Sequence, residues 1–286
     1  MLESMINPKR AEKGPWKMFF IGLLYGSLSL LLVHFLFGSD TVLAKFSGLM
    51  VVLFCVMFSL PFMYFIIRNE EQEDEEIEGF LGVWKTHGDA IAAFLWLFLG
   101  FIIAFSFWNV ILQNSNLLNA QIETYCSIND PGDVSHCVAE YSFTSKIISS
   151  GVSDNTSRFF SIIGNNLGVM ILTLIFSLIF GAGVIFILAW NASVIAAAIG
   201  IFTKYNLVQI PLGLLRYMIH GFPEIGAYFI TALAGGMFGV GAIRHGIGNK
   251  KFMNVLMNVI LLLFLAIIVL VIAAVIEVYL TPLLFQ

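Results

Sequence analysis

Long apolar runs, each close to the length of a membrane crossing, constrain this chain more than any other feature. A helix needs roughly 20 mainly apolar residues to cross the hydrocarbon core of a bilayer. Residues 18–37, 46–67, 90–112, 167–190, 223–243 and 255–280 all reach that length. Only 11% of the residues are charged, against about a quarter in a soluble domain. The sequence therefore predicts an all-α, polytopic transmembrane helix bundle that is solvated chiefly by the lipid bilayer.

Residues 191–219 form a seventh apolar segment, but Lys204-Tyr205-Asn206, Pro211 and Arg216 interrupt it. Two arrangements fit this pattern, one broken crossing or a re-entrant pair of half-helices. Lys and Arg concentrate in cytoplasmic loops, and a single crossing puts the basic turn 244–251 on the same side as the basic N-terminal segment. We therefore expect about seven spans in the cell membrane, with one broken or re-entrant segment and a cytoplasmic N terminus.

Two polar segments organise the chain. Residues 70–78 are strongly acidic and follow the first two apolar runs. Residues 1–89 are therefore predicted to be an N-terminal transmembrane hairpin plus an acidic cytoplasmic loop, and residues 90–286 a membrane domain with an outer loop at 113–166. Cys126 and Cys137 share that outer loop, and we expect a disulfide between them if it faces an oxidising exterior.

Polar side chains within or beside the apolar runs define a candidate intramembrane site, because a charged group at the bilayer centre costs at least about 2.5–3.5 kcal/mol. The candidates are Asn165, Asn166, Asn191, His220, Glu224 and Glu277. Such groups fit either ordinary helix caps and interhelical hydrogen bonds or a proton- or ion-sensitive site.

Local patterns give each candidate an expected position. Pro223 suits the first turn of a helix, so Glu224 is expected beside a helix start, where the helix dipole favours negative charge. Asn165-Asn166 is expected to cap the start of a span, and Asn191 to cap or to bond between helices. Glu277 is expected near the outer surface, where it reaches water.

Motifs of soluble chemistry are missing from the sequence. It has no Cys-x-x-Cys pair, nucleotide-binding fingerprint, Ser/His/Asp set or metal-ligand spacing. It also has no basic stripe of the kind that binds nucleic acid. We therefore expect a protein that is not an enzyme, without a cofactor or metal site and without a nucleic-acid partner.

Small residues recur at helical spacing in the sixth apolar run. They are Ala232, Gly235, Gly236, Gly239 and Gly241. Such spacing lets two helices approach closely, either within one chain or in a homo-oligomer.

The order of several of these features resembles the stage II sporulation protein M family. They are Asn165-Asn166 opening a span, Asn191 closing it, His220-Gly221 followed by Glu224 and a small-residue helix, and Glu277-Val278-Tyr279-Leu280-Thr281-Pro282 near the end. The resemblance covers residues from about Ser161 onward. The N-terminal hairpin is an addition to the bacterial pattern, and its opening, Ile6-Asn7-Pro8-Lys9 with Pro15-Trp16, resembles archaeal-type members. In sporulating bacteria the family acts in engulfment as a membrane partner of cell-wall hydrolases.

These observations lead to two hypotheses about function. The first is a non-enzymatic scaffold that remodels the membrane or assembles a protein partner on its outer loop. The alternative is a transport component or permeation pathway that uses the broken segment 191–224, since interrupted helices often mark binding sites at mid-membrane.

Overall fold

The computed structural model describes residues 14–38, 40, 42–73, 80–113, 117–129, 134–141, 155–180, 184–246 and 249–285. The α-helices are α1 Lys17–Phe37, α2 Ser47–Glu73, α3 Phe80–Leu112, α4 Asn119–Asn129, α5 Val134–Tyr141, α6 Asn155–Phe180, α7 Val184–Phe202, α8 Ile210–His245, α9 Lys250–Val275 and α10 Thr281–Leu284. Short 3-10 turns lie at Leu43–Phe46 and Leu207–Gln209, and a π-helical segment, Ile276–Leu280, joins α9 to α10. No strand occurs in these ranges.

Within the described ranges, seven helices are long and apolar enough to cross a membrane: α1, α2, α3, α6, α7, α8 and α9 with its continuation through α10. The protein is therefore a multi-pass membrane protein, and the predicted all-α polytopic bundle is confirmed. Successive spans run in opposite directions. We call the end where α3 finishes and α6 and α8 begin the loop end, and the end that holds residues 244–251 the basic end.

The fourth and fifth spans differ from the predicted boundaries. The apolar run 167–190 contains the end of α6 and the start of α7, and α6 begins at Asn155 within the predicted outer loop. The interruption of residues 191–219 is a turn at the loop end, where Lys204 and Tyr205 have φ angles of 49° and 54°. Asn206 stabilises this turn by accepting a hydrogen bond from the amide of Val208. The segment is therefore the end of one crossing and the start of the next.

Helix α3 lies at the centre of the bundle, between α1 and α7. Its Phe98, Phe101 and Phe105 are fully buried. Phe94 stacks on Phe229 of α8, with ring centroids 5.0 Å apart. Helix α8 in turn packs against α6, α7 and α9, so the polar positions of α6, α8 and α9 are brought to one place.

Candidate functional site in the membrane

Glu224 is held by side chains from two helices. The hydroxyl of Tyr228, one turn further along α8, donates a 2.8 Å hydrogen bond to Glu224 Oε1. The side chain of Asn166 on α6 also hydrogen-bonds to this carboxyl group. Tyr228 is fully buried and Asn166 is 5% exposed. Two neutral polar groups therefore solvate a carboxyl group that lies far from either end of its helix.

Glu277 brings a second carboxyl group to the same place. It lies in the π-helical segment after α9 and interacts electrostatically with Glu224 and with Arg158 of α6. A π-helical turn adds a residue to the helical repeat and so changes which side chains face a neighbouring helix. The expectation that Glu277 simply reaches water is incomplete, because its half-buried side chain also interacts with Glu224.

His220 and Thr281 lie on the loop-end side of the two carboxyl groups. Thr281 Oγ1 is 3.4 Å from His220 Nδ1 and donates to the backbone oxygen of Ile276. His220 precedes Glu224 by one helical turn, and its ring contacts the ring of Tyr217 edge-on. We call Asn166, His220, Glu224, Tyr228, Glu277 and Thr281 the polar cluster.

The predicted helix start at His220-Gly221-Phe222-Pro223-Glu224 is wrong. Helix α8 is continuous from Ile210 to His245 with Pro223 in its interior, and it is Pro211 that occupies the first turn. Glu224 is therefore stabilised by Tyr228 and Asn166 rather than by the N-terminal end of a helix dipole.

Two of the candidate asparagines do not contact the carboxyl groups. Asn165 Nδ2 donates to Asn166 Oδ1 at 3.3 Å, inside α6 rather than at its start. Asn191 lies in the middle of α7 and donates to the backbone oxygen of Ile187 on its own helix. The capping prediction for Asn165-Asn166 is wrong because α6 already begins at Asn155.

Sequence reasoning did not select Tyr228, Thr281 or Arg158. The spacing of Tyr228 from Glu224 was a usable signal, because side chains four residues apart on a helix share a face. The other two positions depend on contacts between helices that are distant in sequence, and no local pattern indicates them.

A second structured feature lies at the loop end. A disulfide joins Cys126 of α4 to Cys137 of α5. Helix α4 is also fixed to the bundle, since the fully buried Gln121 donates through Nε2 to the backbone oxygen of Gly48 and to Ser193 Oγ, at 3.0 and 3.1 Å. Asn119 Nδ2 donates to the backbone oxygen of Lys45 at 2.8 Å. We call helices α4 and α5 with their disulfide the docked pair.

The docked pair also meets the start of α8. Burial raises the pKa of Tyr125, while a hydrogen bond to Tyr217 and the charge of Arg216 oppose that shift. Arg216 donates to the backbone oxygen of Phe285 at 3.3 Å and lies 4.7 Å over the ring of Phe202. The guanidinium group thus connects the ends of α7, α8 and the C-terminal segment, rather than pairing with Glu277.

Within the described ranges no group of three or more His, Cys, Asp or Glu side chains is arranged to hold a metal ion. The chemistry that the polar cluster offers is that of carboxyl, amide, hydroxyl and imidazole groups, all of which bind and release protons or form hydrogen bonds.

The family model described as Stage II sporulation protein M matches residues 50–282. The match begins within α2 and includes the docked pair and the whole polar cluster. No curated protein and no solved structure matches the chain.

Proposed function

Since the chain belongs to the stage II sporulation protein M family, as its sequence features indicated, we propose that it is a non-enzymatic membrane scaffold that holds a protein partner on its docked pair. The observation that carries this proposal is the attachment of α4 to the bundle through Gln121. A loop that only connected two spans would not need a buried amide with two hydrogen bonds to other helices.

The docked pair has the properties of a binding platform. Glu123 and Ser127 of α4 are exposed, whereas Ile122 and Cys126 on the other face of the helix are buried. Fixing the backbone before binding lowers the entropic cost of association. A partner therefore meets a surface whose shape is already set by the bundle below it.

The proposed location of the platform follows from charge. Basic residues precede α1 and occupy the turn between α8 and α9, and such residues favour the cytoplasm. We therefore propose a cytoplasmic N terminus and a loop end outside the cell membrane. An exterior location also suits the disulfide, because such bonds persist in oxidising compartments.

Site-specific photocrosslinking in the native membrane tests the scaffold proposal. A photoreactive amino acid replaces Glu123 or Ser127 in the full chain, and the matched control replaces Val208, which is also exposed at the loop end but lies outside the docked pair. We expect both α4 positions to capture the same protein and the control not to capture it. Capture that is equal at all three positions, or absent from α4, would contradict the proposal.

Transport is the second candidate function, and the electrostatic interaction between Glu224 and Glu277 favours it. Its original basis, an interrupted segment at 191–224, no longer supports it. The interruption is a turn between α7 and α8 at the loop end, and α8 is continuous through Pro223. Two carboxyl groups from different helices inside a membrane bundle remain typical of proton and ion pathways. Solute flux into liposomes that contain the purified protein, compared with its Glu224→Gln variant, tests this candidate.

A further inference from the structure

We propose that a proton path crosses the bundle along the interface of α6 and α8, with Glu277 and Glu224 as its proton-binding groups nearest the loop end. The proposal rests on the second proposed function, transport, and names its cargo and its route.

The register of α6 against α8 aligns their polar residues over several turns. Asn166 bonds to Glu224 near the middle of both helices, and Ser177 touches Gly235 near the basic end. In each pair the two residues are 58 positions apart in the sequence. The two parallel helices therefore keep one register between these contacts. Thr173 and Thr231 have the same separation and therefore lie at the same level, two turns beyond Asn166 and Glu224.

These residues share one face of each helix. On α6, Asn166, Thr173 and Ser177 follow a spacing of seven and then four residues, which returns to the same side of a helix. Thr173 and Thr231 are fully buried, and Ser177 is 2% exposed. The result is a row of hydroxyl groups enclosed between two helices. The membrane-spanning segments around this row are otherwise mainly apolar.

Ser177 gives independent evidence that the row takes a ligand. Its buried Oγ has no hydrogen-bond partner among the residues that the structure describes, and an unpaired buried hydroxyl costs about 1–3 kcal/mol. The hydroxyls of Thr173 and Thr231 donate to the backbone oxygens of Val169 and Ala227, which leaves their oxygen lone pairs free to accept. A water molecule at Ser177 would supply the missing bond and extend the row.

The row extends over the whole membrane-spanning length of α6. The candidate span of this helix is Arg158–Leu178. Exposed Arg158 interacts with Glu277 at the loop end, and Ser177 lies three residues before the last residue of α6 at the basic end. Among the described residues, the charged and titratable groups that interact with the two carboxyl groups are Arg158 on α6 and Tyr228 on α8; His220 on α8 pairs with Thr281 beside them.

Close packing identifies the cargo as a proton rather than a hydrated ion. A Cβ atom built on Gly235 would lie 2.8 Å from Ser177 Cβ and 3.1 Å from the backbone oxygen of Leu174. The helices therefore approach closely at the level of Ser177 and Gly235, which disfavours passage of an ion with its full water shell at this level. A proton needs only a chain of hydrogen bonds.

The transfer conserves protons at every step. A proton from the loop end binds the Glu277 carboxylate, and the resulting carboxylic acid passes it to the Glu224 carboxylate. Each hydroxyl or water beyond Glu224 accepts one proton and releases another, so no group in the row gains or loses a proton overall. The row regains its starting arrangement when its hydrogen bonds turn back to their original direction.

Proton flux into liposomes tests the proposal. The purified full chain is reconstituted with a pH-sensitive dye trapped inside, and a potassium diffusion potential drives protons inward. We expect the wild-type protein to acidify the lumen, and Glu224→Gln and the double variant Thr173→Val/Ser177→Ala each to lower the initial rate by roughly tenfold or more, the effect of raising one barrier by about 1.4 kcal/mol. The matched controls Asp40→Asn and Ser29→Ala, which lie outside the row and outside the docked pair, should keep the wild-type rate.

The outcomes separate the proposals from one another. A wild-type rate equal to that of empty liposomes, or equal rates in the row variants and the controls, overturns the proton path. Flux of a solute such as sodium without proton flux retains transport but also overturns the path, and neither result affects the scaffold proposal. Each variant is first checked for a single elution peak in detergent; if Glu224→Gln does not fold, Glu277→Gln replaces it with the same expectation.

Discussion

The carboxyl group of Glu224 accepts a 2.8 Å hydrogen bond from the hydroxyl of Tyr228, one turn further along the same membrane-spanning helix. Tyr228 is among the largest fully buried side chains of the protein. The bond lets an apolar ring fill the core while its hydroxyl stabilises a carboxyl group that water does not reach from that side.

Loss of this hydroxyl should destabilise the protein. We expect Tyr228→Phe to lower the free energy of unfolding by about 0.5–1.5 kcal/mol, the net contribution of a typical intramolecular hydrogen bond. Reversible unfolding in mixed detergent micelles measures the change, with Tyr279→Phe, an exposed tyrosine, as the control. In the Glu224→Leu background the cost of Tyr228→Phe should largely disappear; an equal cost in both backgrounds would show that the two side chains do not interact.

The sequence contained enough information for the number of spans, but not for all their boundaries. Apolar residues continue from 167 to 190, so hydropathy does not mark where α6 ends at Phe180 and α7 begins at Val184. The polar residues near Asn155 also hide a helix start, because their composition is that of a loop. Pro223 led to a wrong prediction of the start of α8. A proline is tolerated inside this helix because neighbouring helices surround it.

The polar cluster was only partly predictable for a different reason. Its members Asn166, His220, Glu224 and Glu277 stood out because polar groups are rare in apolar runs. The electrostatic interaction between Glu224 and Glu277 joins two helices that are separated by a turn, and a single sequence carries no signal for it.

Reduction of the disulfide should destabilise the docked pair. The bond closes a loop between cysteines 11 residues apart, and removing a bond of this kind costs about 2–4 kcal/mol. We expect the Cys126→Ser/Cys137→Ser variant to unfold at lower temperature and α4 to exchange its amide hydrogens faster. A reductant should reproduce the effect in the wild-type protein and change nothing in the double variant; a reductant effect of equal size in both would show that the Cys126–Cys137 bond is not its cause.

Glycine at the contact between α1 and α3 should be indispensable. A Cβ atom on Gly100 would collide with the backbone oxygen of Phe19 and lie 2.8 Å from the backbone nitrogen of Leu23. Because backbone cannot move as a side chain can, we expect Gly100→Ala to cost about 1–3 kcal/mol. Gly164→Ala is the control, since nothing lies within 4 Å of its added carbon, and its stability should stay equal or rise. Similar losses at both positions would contradict the close approach of α1 and α3.

The turn between α1 and α2 should weaken in acid. The backbone amides of Leu43 and Val42 donate to the Asp40 carboxylate at 2.8 Å each and hold its pKa below the usual 3.8. A lowered pKa in the folded state means that the stabilisation is complete above pH 3.8 and is lost as the pH falls through the lowered value. We expect amide exchange at Val42 and Leu43 to accelerate over that acid range relative to Asp40→Asn, which keeps the acceptor oxygen but does not titrate. Identical pH profiles in the two proteins would contradict the contact.

Glu224 and Glu277 lie close together inside the bundle, and crosslinking between these two positions tests that proximity. Cysteines replace both residues in the full chain, a short thiol-to-thiol crosslinker is added in the membrane, and crosslinked peptides are identified by mass spectrometry. We expect a link between positions 224 and 277. We expect none in the matched control pair, Glu224→Cys with Ile267→Cys, because Ile267 is exposed on the outer face of α9. A link in the control pair but not between 224 and 277 would contradict this proximity.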